Sequence, residues 1–246
     1  KIEEAETGLR EFSKNIRGAI KVGMLSSVAR NVLPATMKIF SKTLPDVEIN
    51  VLEVAPAEAI DLLYARQLNV AVVAADSIAA ANVSFSSFDI FSDPYVLATP
   101  NDITLESIKT VSELNPEQSK ILKSTISFEF GSQHKKRIDD WIKKSLAADK
   151  TVANTRSYEV ALSMVEARLG VVVLPALTAV VGANRTYDVN LYKTNLADRR
   201  LVALTPNQFT NLEPAKSFIK SLVAAGKVLN LPNIKAAPKI FENLVR

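Results

Sequence analysis

Hydrophobic and polar positions along the chain follow two different periods, which predict alternating strands and helices. In the first third, apolar runs with strand character are separated by stretches in which apolar residues recur every three or four positions. The predicted elements are strands at 19–25, 47–54 and 68–73, and helices at 28–42 and 56–65. Pro56 suits a helix start, because a first-turn proline sacrifices no hydrogen bond. This order predicts a parallel sheet with right-handed crossovers.

A second series of elements continues the alternation. The predicted strands lie at 88–99, 125–130, 151–155, 171–174 and 201–204, and the predicted helices at 133–146, 158–169, 177–181 and 214–225. Gly170 is expected to end the helix at 158–169. Two such series predict an α/β fold of two Rossmann-like lobes with a ligand cleft between them. We expect lobe I at 19–98, completed by about 200–228, lobe II at 99–199, and an appendage outside the core at 229–246.

The first 18 residues have a heptad-like pattern that predicts a dimerisation helix. Its apolar positions are spaced alternately three and four residues apart, at Ile2, Ala5, Leu9, Phe12 and Ile16. About two heptads are visible, fewer than the three or four that define a coiled coil. A surface helix packed on its own domain is the alternative. We favour a linker helix that pairs with a second subunit.

Composition argues against most enzyme classes and against a membrane protein. The chain of 246 residues contains no cysteine and one histidine, which excludes disulfides, thiol chemistry and the usual transition-metal clusters. It contains no Walker A, Gly-x-Gly-x-x-Gly or Gly-x-Ser-x-Gly motif, and no apolar run of about 20 residues. We therefore expect no enzymatic activity, no cofactor, no metal and no membrane contact. The net charge of +4 does not by itself indicate nucleic-acid binding, and the basic cluster at 134–144 is interpreted as the solvated face of a helix.

Serines at predicted strand-to-helix junctions are the strongest candidates for ligand contacts. They are Ser26, Ser27, Ser132 and Ser157. Helix starts present free N–H groups and a partial positive charge, which suit an anion such as a carboxylate. In a doubly wound sheet these junctions share one edge and can converge on one ligand. The alternative is that each serine only caps its helix.

Several segments, taken in order, resemble the effector-binding domain of LysR-type transcriptional regulators. The resemblance covers roughly residues 19–225 and rests on Ile20–Gly23, Ser26–Ser27, Val32–Pro34, Leu44–Ile49, Leu68–Val72, Asp93–Leu97 and Met164–Pro175. It implies a type 2 periplasmic-binding-protein-like fold, a dimer or tetramer, and a cytoplasmic location. It also implies a small effector, often a carboxylate, and a DNA-binding domain upstream of the linker helix and outside this chain.

The resemblance also implies which residues contact the effector. Ser27, with Ser26 beside it, matches the ligand position after the first strand, and Ser132 and Gln133 match the junction in the second lobe. Further expected contacts are Thr99, Ser157 and Tyr158. Pro56 departs from the family pattern, because it has no side-chain donor. The leading hypothesis is thus a sensor module of a bacterial regulator, and the alternative is a free periplasmic solute-binding protein that serves a transporter.

Overall fold

The computed structural model describes residues 16–78, 84–128, 132–146, 148, 150–181, 184–185 and 187–243; at 111, 132–134, 184–185 and 242–243 it describes the backbone alone. The chain forms two compact units. Unit 1 contains the residues up to Ser92 and the segment Arg199–Asn230, and unit 2 contains Asp93–Asp198 and the residues from Leu231 onward. The polypeptide therefore passes between the units three times.

Strands and helices alternate through most of the described chain. The strands are β1 (Gly18–Met24), β2 (Val47–Glu53), β3 (Val70–Ala74), β4 (Phe85–Asp93), β5 (Tyr95–Pro100), β6 (Ser124–Phe128), β7 (Lys150–Thr155), β8 (Val172–Pro175), β9 (Val180–Val181), β10 (Asn184–Arg185), β11 (Val189–Lys193) and β12 (Arg199–Pro206). The α-helices are α1 (Ser26–Asn31), α2 (Leu33–Thr43), α3 (Pro56–Tyr64), α4 (Pro116–Leu122), α5 (Ser132–Leu146), α6 (Tyr158–Glu166), α7 (Ala215–Lys227) and α8 (Ile240–Asn243). Within the described ranges, no helix has the length and apolar character needed to cross a membrane.

Unit 1 is built on a five-stranded sheet in the order β2-β1-β3-β12-β4. β1 runs parallel to both β2 and β3, as predicted, and β12 is antiparallel to β3. All five residues of β3 are buried, which explains its continuous apolar sequence, since a strand covered on both faces has no polar side. Helices α2 and α7 pack together through Phe40 and Phe218, whose rings meet edge to face at 5.6 Å.

The predicted helix at 28–42 is two helices in the structure. α1 ends at Asn31, Val32 separates the two, and α2 begins at Leu33. Pro34 lies in the first turn of α2, where its missing N–H has no intrahelical partner to lose. The proline therefore starts a new helix rather than interrupting a longer one.

Unit 2 contains the antiparallel sheet β11-β5-β8 and the parallel pair β6-β7. A parallel bridge between Thr125 and Val171 connects the two groups of strands. The predicted boundary of lobe I at residue 98 is wrong, because β5 pairs with β8 and β11 and so belongs to unit 2. Asp93-Pro94 divides the predicted strand at 88–99 at the point where the chain changes units.

The helix predicted at 158–169 ends three residues early, and Gly170 has a different role. α6 ends at Glu166, and Arg168 adopts the left-handed conformation, with φ of 63°, in the turn that follows. A β-carbon at Gly170 would lie 2.5 Å from the carbonyl oxygen of Ser124. Gly170 is therefore required for the close approach of two backbones, and not as a helix terminator.

Residues beyond 229 are not an appendage outside the core, contrary to the prediction. Ile240 and Phe241 are buried in the core of unit 2, where Phe241 meets Trp141 edge to face at 5.2 Å. The backbone of Lys235 bonds to Leu191 and Lys193 of β11, at 2.8 and 2.9 Å. Pro232 and Pro238 made the segment look irregular and separate, but a segment without long helices or strands can still pack its side chains into a core.

The predicted N-terminal helix is contradicted at its C-terminal end. Ile16 and Arg17 lie in neither a helix nor a strand, and β1 begins at Gly18, which has a φ of 135°. Ile16 therefore does not continue a helical seam into the first strand. Ile2, Ala5, Leu9 and Phe12 lie outside the described residues, so their role in dimerisation stays a prediction.

Candidate functional site

In unit 1, Ser27 contacts a buried arginine at the point where β1 gives way to α1. The Nη2 atom of Arg199, the first residue of β12, donates a hydrogen bond of 3.3 Å to the Ser27 hydroxyl. Each of the two residues is only 5% exposed. Arginine is charged at any physiological pH and has five N–H donors in a planar fork. This part of unit 1 thus combines a fixed positive charge with a hydroxyl group.

Ser26 and Ser27 do not cap α1. They are its first two residues, and the N-cap position is Leu25, which makes no side-chain capping bond. The interpretation of these two serines as simple caps is therefore wrong. The backbone of Ser27 is held instead by the Asn31 side chain, whose Nδ2 donates to the Ser27 carbonyl oxygen at 2.9 Å.

In unit 2, Ser157 is a helix cap, which was the alternative to a ligand contact. Its hydroxyl oxygen accepts a hydrogen bond from the Val160 N–H at 3.3 Å and donates to Glu159 at 2.7 Å. The neighbouring Tyr158 lies face to face with Phe128, at 3.8 Å between ring centroids and 9° between ring planes. Phe128 is the last residue of β6, so this aromatic pair joins the end of a strand to the start of α6.

The other expected contacts in unit 2 are placed less favourably. Ser132 and Gln133 begin α5, as predicted, but their side chains lie outside the described ones. Thr99 is fully buried, and its hydroxyl lies 3.3 and 3.4 Å from the carbonyl oxygens of Pro100 and Ile103. In this arrangement the Thr99 side chain has no exposed surface.

A cavity of about 390 Å³ lies within unit 2, between α5 and the strands β6 and β7. Its size is at the lower end of the range for ligand pockets, roughly 300–1,000 Å³. Its lining includes the aromatic pair Phe128 and Tyr158, and the polar residues Ser127 and Asn154 lie near the carboxyl ends of β6 and β7. The remaining lining residues are Thr125, Ile126, Lys135, Ile138, Asp139, Ile142, Lys143, Ala148, Lys150, Thr151 and Val173.

Lys136, Asp140 and Lys144 of α5 are exposed, as expected of a solvated face, whereas Lys135 and Asp139 of the same helix line the cavity with side chains 40% and 38% exposed. Lys135 donates to the Ser127 hydroxyl at 2.7 Å and pairs with Asp139 at 3.3 Å. Arg137 also turns towards its unit, with its guanidinium carbon 5.6 Å from the centroid of the Tyr95 ring. Lys135, Ile138, Asp139 and Ile142 follow the spacing of one helical face, so this periodicity could have identified the lining.

Arg199 had no comparable signal. It stands far from Ser27 in the sequence, at the start of a strand, and only the pairing of β12 with β3 brings it to the sheet that also carries β1. Among the residues that the structure describes, no three histidine, cysteine or acidic side chains are grouped closely enough to hold a metal ion.

Comparison with solved structures shows the same fold in transcriptional regulators. The chain superimposes on the cofactor-binding domain of the Cbl transcriptional regulator with a TM-score of 0.68, 20% identity, and coverage of 86% of this chain and 90% of that one. The effector-binding domain of QuiR in complex with shikimate superimposes with a TM-score of 0.65 and 15% identity, and the match covers 86% of this chain and 98% of that one. An OxyR mutant from Corynebacterium glutamicum superimposes with a TM-score of 0.65 and 19% identity, and the match covers 92% of this chain and 70% of that one.

At these identities the likeness establishes the fold and leaves the ligand open. No significant match is found among curated proteins. The family model described as the LysR substrate binding domain matches residues 13–227, which is most of the chain and includes both Ser27 and Arg199. This protein therefore belongs to the LysR substrate-binding domain family, with its periplasmic-binding-protein-like, type 2 fold.

Proposed function

We propose that the chain is the ligand-sensing, oligomerising module of a LysR-type transcription regulator and that its effector is a small anionic metabolite. DNA would be bound by a domain that is not part of this chain, and the regulator would act in the cytoplasm. The family match favours this function over a free periplasmic solute-binding protein. A small-molecule effector is supported by the complex of the structurally similar QuiR domain with shikimate.

The observation that carries the anionic character is the contact between Arg199 and Ser27. Arg199 is 5% exposed, and its guanidinium group is positively charged at any physiological pH. A carboxylate could accept from the guanidinium fork and from the Ser27 hydroxyl together, in the short charge-assisted geometry that arginine favours. Ser26 would contribute from the adjacent position on α1.

Unit 2 would contribute the cavity beside α5 to the same function. Of the ligand contacts predicted from the sequence, Tyr158 lines this cavity. Ser127 and Lys135, which were not predicted, line it as well. Ser132, Gln133 and Ser157 stay in the proposal because the sequence places them at strand-to-helix junctions. Thr99 does not, because its side chain is fully buried. The cleft between lobes that the sequence predicts stays a prediction.

Self-association is the second part of the proposal. It rests on the a/d spacing of Ile2, Ala5, Leu9 and Phe12, which precede the described residues. Sedimentation velocity of the full chain tests it. We expect a dimer or tetramer that dissociates in Leu9→Glu, and the same mass for both proteins would contradict the role of this segment.

The experiment for the ligand is a thermal-shift panel of small carboxylates and amino acids, followed by calorimetric titration of the compounds that stabilise the protein. A ligand at 100 times its dissociation constant adds about 2.7 kcal/mol, which raises the Tm of a chain of this size by roughly 5–10 °C. We expect Arg199→Gln to weaken binding about 10- to 100-fold, because hydrogen bonds to a charged group contribute roughly 1.5–3 kcal/mol.

Arg200→Gln is the matched control. Arg200 is the next residue on β12, with a side chain 65% exposed, and it pairs with Asp89 at 3.3 Å on the surface. Its loss should leave affinity within about twofold, since surface ion pairs contribute little. Equal affinity in the Arg199 variant, the Arg200 variant and the unaltered protein would remove the buried arginine from the site.

A further inference from the structure

One face of unit 1 carries positive charge that no neighbouring acid balances. The helices α2 and α7 contain no acidic residue but five lysines, which are Lys38, Lys42, Lys216, Lys220 and Lys227. The last three line a groove of about 400 Å³ along α7. None of the ion pairs within the described residues includes a lysine of this groove. Three positive charges are therefore available there to a partner.

The floor of the groove is apolar. It is formed by Phe88 of β4 and by Ile219, Val223 and Ala224 of α7, and Thr210 and Asn211 complete the lining. An apolar surface flanked by lysines suits an amphipathic peptide segment with acidic side chains. The phosphate backbone of a nucleic acid would pair with the lysines, but it would leave the apolar floor without a partner.

We propose that the groove binds the N-terminal segment of its own chain, residues 1–12, and that this docking competes with the pairing of the segment between subunits. The docking goes beyond the proposed function, whereas the competition rests on the self-association proposed there. The length, the charge and the point of attachment of the segment support this occupant.

The apolar positions of the segment match the groove in length. Ile2 and Phe12 are ten positions apart, which is about 15 Å on a helix. Lys216 and Lys227 are 11 positions apart on α7, which is about 16 Å. The side chains of the seam, from Ile2 to Phe12, could therefore cover the apolar floor between the first and the last lysine.

The charges of the segment are complementary to those of the groove. Residues 1–12 contain four glutamates and two basic residues, so their net charge is −2. The glutamates are Glu3, Glu4, Glu6 and Glu11. Opposite charges on two surfaces steer their encounter and fix their register. If Phe12 lies at the start of α7, Glu11 is placed near Lys216 and the other three glutamates towards Lys227.

The segment is attached close enough to reach the groove of its own chain. Asn69 donates its N–H to the Lys21 carbonyl oxygen of β1 at 2.8 Å and accepts from the Thr205 hydroxyl of β12 at 2.9 Å. β12 therefore ends where β1 begins, and α7 follows β12. β1 and β4 are three strands apart, or about 14 Å, and residues 13–17 can span up to about 17 Å.

Disulfide trapping in the full chain tests the docking, and it is specific because the protein contains no cysteine. Leu9→Cys with Ala224→Cys places one thiol on the segment and one in the groove. We expect a disulfide within one chain that forms at least about tenfold faster than in Leu9→Cys with Glu48→Cys, because docking raises the effective concentration of the thiols. Glu48 is exposed on β2, at the opposite edge of the sheet from β4. Equal rates, or a disulfide between two chains, would overturn the inference.

Charge reversal in the same cysteine pair tests the role of the lysines. Lys220→Glu with Lys227→Glu should slow disulfide formation about tenfold, because attraction to the glutamates becomes repulsion. The further changes Glu4→Lys and Glu6→Lys should restore most of the rate, which a merely misfolded protein would not do. An unchanged rate in the first variant, or no recovery in the second, would contradict the proposed contact.

The matched control reverses two lysines of α2 that do not line the groove. Lys38→Glu with Lys42→Glu makes the same change in net charge, and the disulfide should form within about threefold of the original rate. Binding of a short DNA duplex of random sequence separates the alternative partner. If DNA binding is lost in Lys220→Glu with Lys227→Glu while the disulfide forms as before, the lysines serve nucleic acid and the inference is overturned.

Sedimentation velocity of the oxidised and reduced cysteine pair tests the competition. We expect the oxidised protein to be a monomer and the reduced protein to self-associate, because a docked segment cannot also pair with a second subunit. Self-association of both forms would overturn the competition. If no disulfide forms but Leu9→Glu dissociates the protein, the inference fails and the proposed function stands. If the disulfide forms and neither form self-associates, the docking stands and the proposed self-association is contradicted.

Discussion

The ammonium nitrogen of Lys235 lies 2.5 Å from a carboxylate oxygen of Glu106, although 129 positions separate the two residues in the sequence. The other oxygen of the same carboxylate accepts a hydrogen bond of 2.7 Å from the hydroxyl of Tyr192, a residue that is fully buried. That hydroxyl also accepts from the Leu105 N–H at 2.8 Å. One acidic side chain thus ties the segment after Leu231 to β11 and to the loop after β5.

This carboxylate should make stability depend on pH in a defined direction. Burial by itself raises the pKa of Glu106. The hydrogen bonds from Lys235 and Tyr192 lower the pKa, and together with the charge of Lys235 they outweigh burial, so the pKa of Glu106 lies below its ordinary value. A carboxyl group whose pKa is lowered by folding stabilises the protein above its unfolded-state pKa, and this contribution is lost as the pH falls through the folded-state pKa. We therefore expect Glu106→Gln to lower the Tm at pH 7 by about 1–4 °C, and by less at pH 3–4.

Thermal unfolding of both proteins between pH 3 and pH 8 measures this difference. Glu48→Gln is the control, because Glu48 is exposed on β2, and its effect should be small at every pH. High salt should reduce the effect of Glu106→Gln, since both members of the pair are partly exposed. A Tm difference that stays constant down to pH 3 would argue against an ionic contribution.

Phe241 should be a stabilising residue of unit 2 in spite of its position near the end of the chain. It is 8% exposed and meets Trp141 edge to face. Truncation of a buried phenylalanine costs about 3–5 kcal/mol, so Phe241→Ala should lower the Tm by roughly 6–20 °C and change the fluorescence of Trp141. Lys239→Ala, at an exposed position two residues earlier, should change neither. Similar melting curves for the two variants would mean that this segment contributes little to the fold.

Gly170 should not tolerate even a methyl group. The β-carbon of an alanine would lie 2.5 Å from the Ser124 carbonyl oxygen, and backbone atoms cannot move aside as a side chain can. We expect Gly170→Ala to destabilise the protein by about 1–3 kcal/mol in urea denaturation. Leu169→Ala is the comparison, because Leu169 is 55% exposed and its truncation should change stability by about 0.5 kcal/mol or less.

Thr99 should act on stability and not on ligand binding. Its buried hydroxyl lies within hydrogen-bonding distance of two carbonyl oxygens, those of Pro100 and Ile103. Thr99→Val, which keeps the shape and removes the hydroxyl, should cost about 1 kcal/mol, or roughly 2–4 °C in Tm. Affinity for any compound that stabilises the protein should be unchanged. A clear loss of affinity with little loss of stability would return Thr99 to the ligand site.

Local patterns predicted the strands and helices of unit 1 well. β1, β2 and β3 follow from alternating or continuous apolar runs, and α3 from a first-turn proline, because each signal depends on neighbouring residues. In unit 2 the short strand β11 and the helix α4 were missed. β11 is an edge strand held by pairing with β5, and such a tertiary contact leaves little trace in a five-residue segment.

The candidate site was only partly predictable for the same reason. Ser27 could be proposed because it follows a recognisable strand, whereas its partner Arg199 is brought near only by the folding of β12 into the sheet. The position of Lys135 beside the cavity was available in principle from the helical spacing of the residues around it. Its hydrogen bond to the Ser127 hydroxyl was not, because Ser127 belongs to another element.

The third passage of the chain between the units affects how the protein should be cut for study. The family match ends at residue 227, at the C-terminal residue of α7, so an expression plasmid designed from that match would stop there. Such a shortened protein would retain all of the family's recognisable sequence but lack Lys235, Ile240 and Phe241. Its second unit would expose Trp141 and neighbouring apolar side chains to water, so poor solubility of that fragment would reflect a badly chosen end point.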